Sequence, residues 1–228
     1  MDALLRRRSM IVASGGSPTP PTPVIEPVFY DRLVFDGTAY IDTDIVPDAE
    51  ATYRMMFGDE TLKASQTLFT IPAENSTRIG VVYGSATTST NRVFSVYYGA
   101  TGAVRTGDEL RFSSGRYTMM LSPIKFQYGQ YVAASITKGE NAPSGALIIG
   151  QNATHSGTAY TGSVGNLRIY GPDAKNATNY TDLLNNYTPT HTLRPCTYDG
   201  EAGLWCVETS KFYGNSAESG TLSVLNNS

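Results

Sequence analysis

The sequence predicts an all-β protein: a two-sheet sandwich of jelly-roll type preceded by an extended N-terminal arm. Three observations carry this expectation. Short apolar or alternating runs recur every ~8–12 residues with turn residues between them, the spacing of strands in a sandwich. Only one stretch, 179–186, reads as a helix, with Asn179 or Thr181 as its cap and Leu183-Leu184 as its apolar contact. Charged residues are 16% of the chain, whereas Tyr numbers 15 and Gly 22; an average soluble protein carries about 25% charge. Such a surface is built from hydroxyls, amides and phenols, as in many extracellular β proteins. At 228 residues, one large β domain is the simplest division of the chain. The net charge of −3 argues against a general nucleic-acid binder. No apolar run approaches the ~18 residues of a membrane span.

Residues 1–13 form a short tribasic arm. Arg6, Arg7 and Arg8 lie between Leu4-Leu5 and Met10-Ile11. The apolar part is too short for the core of a signal peptide, and Gly15-Gly16 ends it, so the arm is expected to remain uncleaved. It cannot fold alone. It can bind, because arginines pair bidentately with acidic groups and leucines fill a groove. Residues 14–27, SGGSPTPPTPVIEP, favour an extended polyproline II spacer. Arm and spacer, 1–27, thus precede one domain, 28–228.

Within that domain, strands are expected over 31–35, 38–43, 51–57, 67–71, 78–83, 92–98, 109–112, 116–122, 124–128, 130–136, 145–149, 163–170, 193–196 and 203–207. Alternation is clearest in 92–98, where Val93, Ser95 and Tyr97 would share one face and Phe94, Val96 and Tyr98 the other. Gly129 separates two strands and suits a turn that needs positive φ.

The chemistry in these elements points to binding. Glycosidases on sandwich folds need two carboxylates on one face, about 5–5.5 Å apart for retention. Asp59-Glu60 and Asp108-Glu109 are adjacent and would face opposite sides, while Glu201 and Glu208 have no acidic partner at strand spacing. His155 and His191 read as loop histidines beside hydroxyl residues, and neither shows ligand spacing with the cysteines. The chain is therefore read as no enzyme, with no cofactor. Cys196 and Cys206 sit ten apart across a hairpin; a disulfide between them and two free thiols both remain open. Tyr97, Tyr128 and Tyr131 are candidate glycan contacts, since a phenol offers an apolar face to a sugar's C–H groups and a polar tip to its hydroxyls. Trp205 reads as a core residue. Five Asn-x-Thr triplets, at Asn75, Asn152, Asn176, Asn179 and Asn186, read as loop residues in a Thr-rich chain.

The segments FDGTAYIDT (35–43), GNLRIYG (165–171) and RPC…DGEAGLW…KFYGN (194–215) together resemble the concanavalin A-like (laminin-G-like) jelly-roll domain. The version most similar is that of virion fibre and decoration proteins of gut-bacterial (crAss-like) bacteriophages, and the resemblance covers roughly residues 30–224. One position departs: an Asp usually follows the Gly-Leu-aromatic triplet, and Cys206 stands there, so any role of that Asp does not carry over. The resemblance implies a virion structural protein, assembled in the host cytoplasm. Leu4, Leu5, Arg6, Arg7, Arg8, Met10 and Ile11 would anchor it to a capsid or tail protein, as a trimeric head fibre or decoration protein, or alternatively as a tail-associated adhesin or a secreted carbohydrate-binding module. Host-surface or mucus glycans would be its ligands. Domains of this kind often hold Ca²⁺ on loop oxygens, for which Asp42, Asp44 and Asp48 stand near one strand end; a solvated acidic loop is the alternative reading.

Overall fold

The computed structural model describes residues 25–59, 66–83, 91–92, 94–106, 110–111, 115–129, 131–156 and 159–226. In chain order the first strands are β1 (Val28–Phe29), β2 (Arg32–Asp36), β3 (Ile41–Asp42), β4 (Thr52–Asp59), β5 (Gln66–Ala73) and β6 (Thr77–Tyr83). Then come β7 (Asn91–Arg92), β8 (Phe94–Ala100), β9 (Val104–Arg105), β10 (Leu110–Arg111), β11 (Gly115–Leu121), β12 (Lys125–Tyr128), β13 (Tyr131–Ser135) and β14 (Ile148–Ile149). The C-terminal part holds β15 (Thr161–Tyr170), a 3₁₀ turn at Pro172–Asn176, helix α1 (Tyr180–Asn186), β16 (Pro189–Tyr198), β17 (Glu201–Cys206), β18 (Lys211–Tyr213) and β19 (Leu222–Leu225).

Two antiparallel sheets pack face to face as a jelly-roll sandwich. The larger runs β13-β12-β11-β4-β15-β16-β17-β18, with β2 and β19 joined beside β15 and β1 on β16. The smaller runs β3-β14-β5-β6-β8-β9. Period-2 alternation decides which side chains lie between them. Phe94, Val96 and Tyr98 of β8 point inward, and Ser95 and Tyr97 point out, as the pattern predicts. Phe57, Phe94, Phe126 and Tyr128 interlock at the centre, Phe57 edge-on to Phe94 and Phe94 5.1 Å from Phe126. A smaller cluster of Met120, Tyr170, Ala174, Ala177 and Leu183 lies where the 3₁₀ turn and α1 cover the larger sheet's outer surface.

β15 changes partners halfway along. Its residues 161–164 pair with β2, and 167–170 pair with β16. A bulge against β4 separates the two halves at Gly165-Asn166. Such bulges bend a strand and open a place beside it.

Several expectations change in detail. The strand expected over 38–43 shrinks to Ile41–Asp42, because Asp36 Oδ1 accepts the N–H groups of Thr38 and Ala39 at 2.8 and 3.0 Å and folds that segment into a turn. The helix forms with Asn179 as its cap, whose Oδ1 accepts from the N–H groups of Thr181 and Asp182, both at 2.9 Å. Gly129 does take positive φ, 57°, between β12 and β13. Cys196 and Cys206 do not lie opposite each other. The Asp199-Gly200 turn pairs Tyr198 with Glu201, so Cys196 meets Gly203 and Cys206 meets Leu193. The thiols are buried on opposite faces of the sheet and are free. The same register puts Leu204 and Cys206 into the core and turns Trp205 outward, half-buried, where a core position was expected.

Candidate functional site on the smaller sheet

The outer surface of the smaller sheet is laid down by register. Asp42, Ile148, Thr70, Gly80 and Tyr97 are successive cross-strand partners from β3 through β14, β5 and β6 to β8. Gly80 fits only without a side chain, because a Cβ there would stand 2.5 Å from the carbonyl oxygen of Phe69. Arg78, two residues earlier on β6, shares the face of Gly80. Its guanidinium lies over the Tyr97 ring, 3.8 Å from the centroid, a cation–π contact that fixes both groups.

A loop that leaves β14 returns over this surface. Asn152 organises it. Its Oδ1 accepts the N–H groups of Thr154 and Ser156, each at 3.1 Å, and the Thr154 hydroxyl at 3.0 Å. Its Nδ2 donates to the Ser156 carbonyl. The Thr154 and Ser156 hydroxyls meet at 2.7 Å. His155, at φ 52°, locks the loop to the sheet: its Nε2 lies 3.0 Å from Asp42 Oδ1, and its ring stacks on Tyr40 with centroids 4.6 Å apart. Between loop and sheet runs an open cleft lined by Arg78, Tyr97, Thr101, Asn152 and Thr154. Its lining offers one guanidinium, one phenol, an amide and hydroxyls.

The expected site residues part company here. Tyr97 lies in the cleft. Tyr128 is in the core, where Phe57, Phe94 and Tyr117 surround its ring at 5.2–6.1 Å. Tyr131 takes the register position opposite Tyr128 across the β12–β13 turn. The arm residues Leu4, Leu5, Arg6, Arg7, Arg8, Met10 and Ile11 lie outside the described residues. So do the side chains of the Asp59-Glu60 and Asp108-Glu109 pairs. Arg78, Thr101 and the Asn152 loop were not singled out as a site; Asn152 stood out only as one Asn-x-Thr triplet. The β6–β8 register that sets Arg78 beside Tyr97 has no local signal.

The three aspartates considered for Ca²⁺ take separate partners. Asp42 meets His155; Asp44 accepts from Lys211 Nζ at 2.5 Å and from the Tyr213 hydroxyl; Asp48 accepts the Glu50 N–H at 2.8 Å. Among the described residues no group of three acidic, His or Cys side chains gathers at one point. Glu208 accepts the Thr192 N–H at 2.5 Å. Burial works against its charge, but the bonds from Thr192 prevail and hold the carboxyl below its ordinary value. A general acid needs the opposite shift.

No protein-family model matches the chain, and no curated protein matches it in sequence. Among solved structures it is similar to a Bacteroides ovatus protein described as carbohydrate binding, with a TM-score of 0.57 and 13% identity. That match covers 89% of this chain and 62% of the other, so the chain spans less than two thirds of that protein's length. A heptameric SAP-like pentraxin from Limulus polyphemus matches with a TM-score of 0.45 and 14% identity, over 61% of this chain and 75% of that one. Domains LG4-5 of the mouse laminin α1 chain match with a TM-score of 0.44 and 16% identity, over 62% and 41%. At such identities the likeness is one of fold, the concanavalin A-like jelly roll.

Proposed function

We propose that the domain is a glycan-binding module whose ligand lies in the cleft between the Asn152 loop and the smaller sheet. The observation that carries this reading is Arg78, held over the Tyr97 ring in a cleft that Thr101 and Thr154 also line. A guanidinium fixed in this way offers parallel N–H donors to neighbouring sugar hydroxyls with little further loss of side-chain freedom. The Tyr97 phenol adds a hydroxyl that can donate to or accept from a sugar hydroxyl. The fold likeness to the Bacteroides ovatus protein supports the same reading. We read the module as binding without turnover, since the side chains named in the cleft include no acid. The test is a glycan array followed by calorimetry with neutral oligosaccharides. Tyr97→Ala and Arg78→Ala are each expected to weaken binding about tenfold, roughly 1.4 kcal/mol. An array without signal above background would remove the reading.

The wider setting we propose is a virion. Residues 1–13 would attach to a capsid or tail protein, the proline-rich spacer would lift the domain away, and several copies, in a trimer, would add avidity. The resemblance of the 35–43 and 194–215 segments to gut-phage fibre and decoration proteins supports this, as does an arm whose arginines and leucines suit docking. A protein lacking residues 1–13 is expected to keep its glycan affinity and to vanish from purified particles. Normal occupancy of the truncated protein on those particles would rule out the anchor.

A further inference from the structure

The outer surface of the larger sheet carries Arg32, Arg54, Arg116, Arg168 and Arg194, each next in sequence to a residue that faces the core or packs beneath the sheet. Arg54 and Arg168 are cross-strand partners on β4 and β15. Neither makes an ion pair with a described residue, and the Nε of each is buried without a hydrogen bond. Of the acids on or near this face, Asp182 is engaged by Thr178 and Asn186, Glu208 by Thr192, Glu50 by Lys175 and Asp36 by Thr38 and Thr221, while Glu201 stands exposed at the far end, opposite Tyr198. Arginines thus outnumber acids on this face, five to two, in a chain whose net charge is −3, although Arg54 is itself buried.

A pocket opens on this face where β15 changes partners. Arg32, Arg116 and Arg194 line it with Asp31, Ser163 and Asn166, three arginines beside one aspartate. The bulge makes the room. Gly165 lies so close to β4 that a Cβ would come within 2.9 Å of the Met56 Cβ, so the backbone sinks where a side chain would otherwise fill the space. Ser163 is 1% exposed, and its hydroxyl has no hydrogen-bond partner within the described structure. Arg194 is set in advance: its guanidinium lies 4.0 Å from the centroid of the Phe29 ring. Neither Arg116 nor Arg194 has an ion-pair partner among the described residues. Directly across from Arg194 stands Trp205, which with Tyr198 and Phe212 forms an outward aromatic ridge with centroids 5.3 and 5.5 Å apart. Water can satisfy the hydrogen bonds of such a pocket, but it cannot neutralise converging positive charge. A planar oxyanion can, through bidentate bonds to arginine.

We propose that this pocket binds the carboxylate or sulfate of an acidic saccharide, with Arg116 and Arg194 gripping the oxyanion and the sugar ring lying toward the Trp205 ridge. The site is distinct from the Tyr97 cleft and does not rest on the reading of that cleft. The test is titration calorimetry of the full chain with a galacturonate trisaccharide, its neutral methyl ester and a sulfated galactose trisaccharide. At least one anionic sugar is expected to bind ten times tighter than the neutral ester and to weaken as salt rises. Arg116→Met with Arg194→Met should abolish that preference, while Lys175→Met, at an ion pair with Glu50 outside both sites, leaves it intact. Arg116 is exposed, so Arg116→Met alone serves if the double variant does not fold. Equal affinity for acid and ester, no binding of either anion, or an unchanged preference in the arginine variant would each overturn the proposal.

Discussion

Asp36 ties the two ends of the domain together. Its Oδ1 accepts the Thr38 hydroxyl at 2.7 Å and the N–H groups of Thr38 and Ala39; its Oδ2 accepts the Thr221 N–H at 2.5 Å, beside the last strand. Burial works against the charged carboxyl, but these donors prevail and hold it at about 2. Hydrogen bonds from Lys211 and Tyr213 likewise hold Asp44 at about 2. Carboxyls lowered on folding add stability that is complete above the unfolded value of about 3.9 and disappears as pH falls through the folded value. The share of stability that these two carboxyls supply should therefore hold down to about pH 4 and be lost toward pH 2. Asp36→Asn is expected to lower the unfolding free energy at pH 7 by about 1 kcal/mol and to flatten that acid limb, as denaturant titrations at pH 7 and pH 3 would show. An unaltered acid limb would mean that the charge of Asp36 does not hold the turn. Cys196 gives a second expectation. Burial pushes its thiol up to about 11, and the Arg194 charge pulls it only partly back. Thiolate is the reactive form, so Cys196 should resist a thiol reagent at pH 8 in the native protein and react at once in guanidinium.

The C-terminal hairpin shows what a local pattern can and cannot carry. Asp199 and Gly200, at φ 50° and 82°, make the tight turn that an Asp-Gly pair favours, and that turn was legible as turn residues between apolar runs. The facing of its side chains was not. A two-residue turn pairs residues of opposite parity, so Cys196 and Cys206 fall on opposite faces, and Trp205 faces out while its neighbours face in. The turn length decides this; the strand composition does not. Gly203 has a reason visible only in three dimensions. A Cβ there would lie 2.3 Å from the Tyr213 carbonyl oxygen and 2.7 Å from the Phe212 ring. Gly203→Ala should therefore push β18 away at a cost of about 1–3 kcal/mol, measured by chemical denaturation, and should disturb the Tyr198–Trp205–Phe212 ridge, read by tryptophan fluorescence. Wild-type stability and emission in that variant would show that β18 can shift freely.

Across the whole molecule, the two sheets meet on a core in which Phe94 is fully buried among Phe57, Phe126 and Tyr128. Phe94→Ala is expected to cost about 3–5 kcal/mol in a two-state denaturant titration; a loss below 1 kcal/mol would mean that the sheets close over the gap. This core was legible in advance because burial between sheets enforces period 2, and residues 94–98 state that period plainly. The all-β class, the strand succession, the short helix capped by Asn179 or Thr181 and the shared face of Ser95 and Tyr97 follow from composition and spacing for the same reason: each depends on interactions only a few residues long. The Tyr97 cleft and the arginine pocket do not. Arg78 reaches Tyr97 through the β6–β8 register, and Arg32, Arg116 and Arg194 converge because β15 exchanges one partner for another at a bulge. Register and partner exchange join residues 19 to more than 160 positions apart in the chain, and the free energy that selects them belongs to the closed sandwich as a whole. The sequence by itself determined the strand class and, where alternation is strict as in 94–98, the two faces of a strand. The packed sheets decided the facing of Tyr128 and Trp205 and which outward residues stand together, because both depend on register across the whole sandwich.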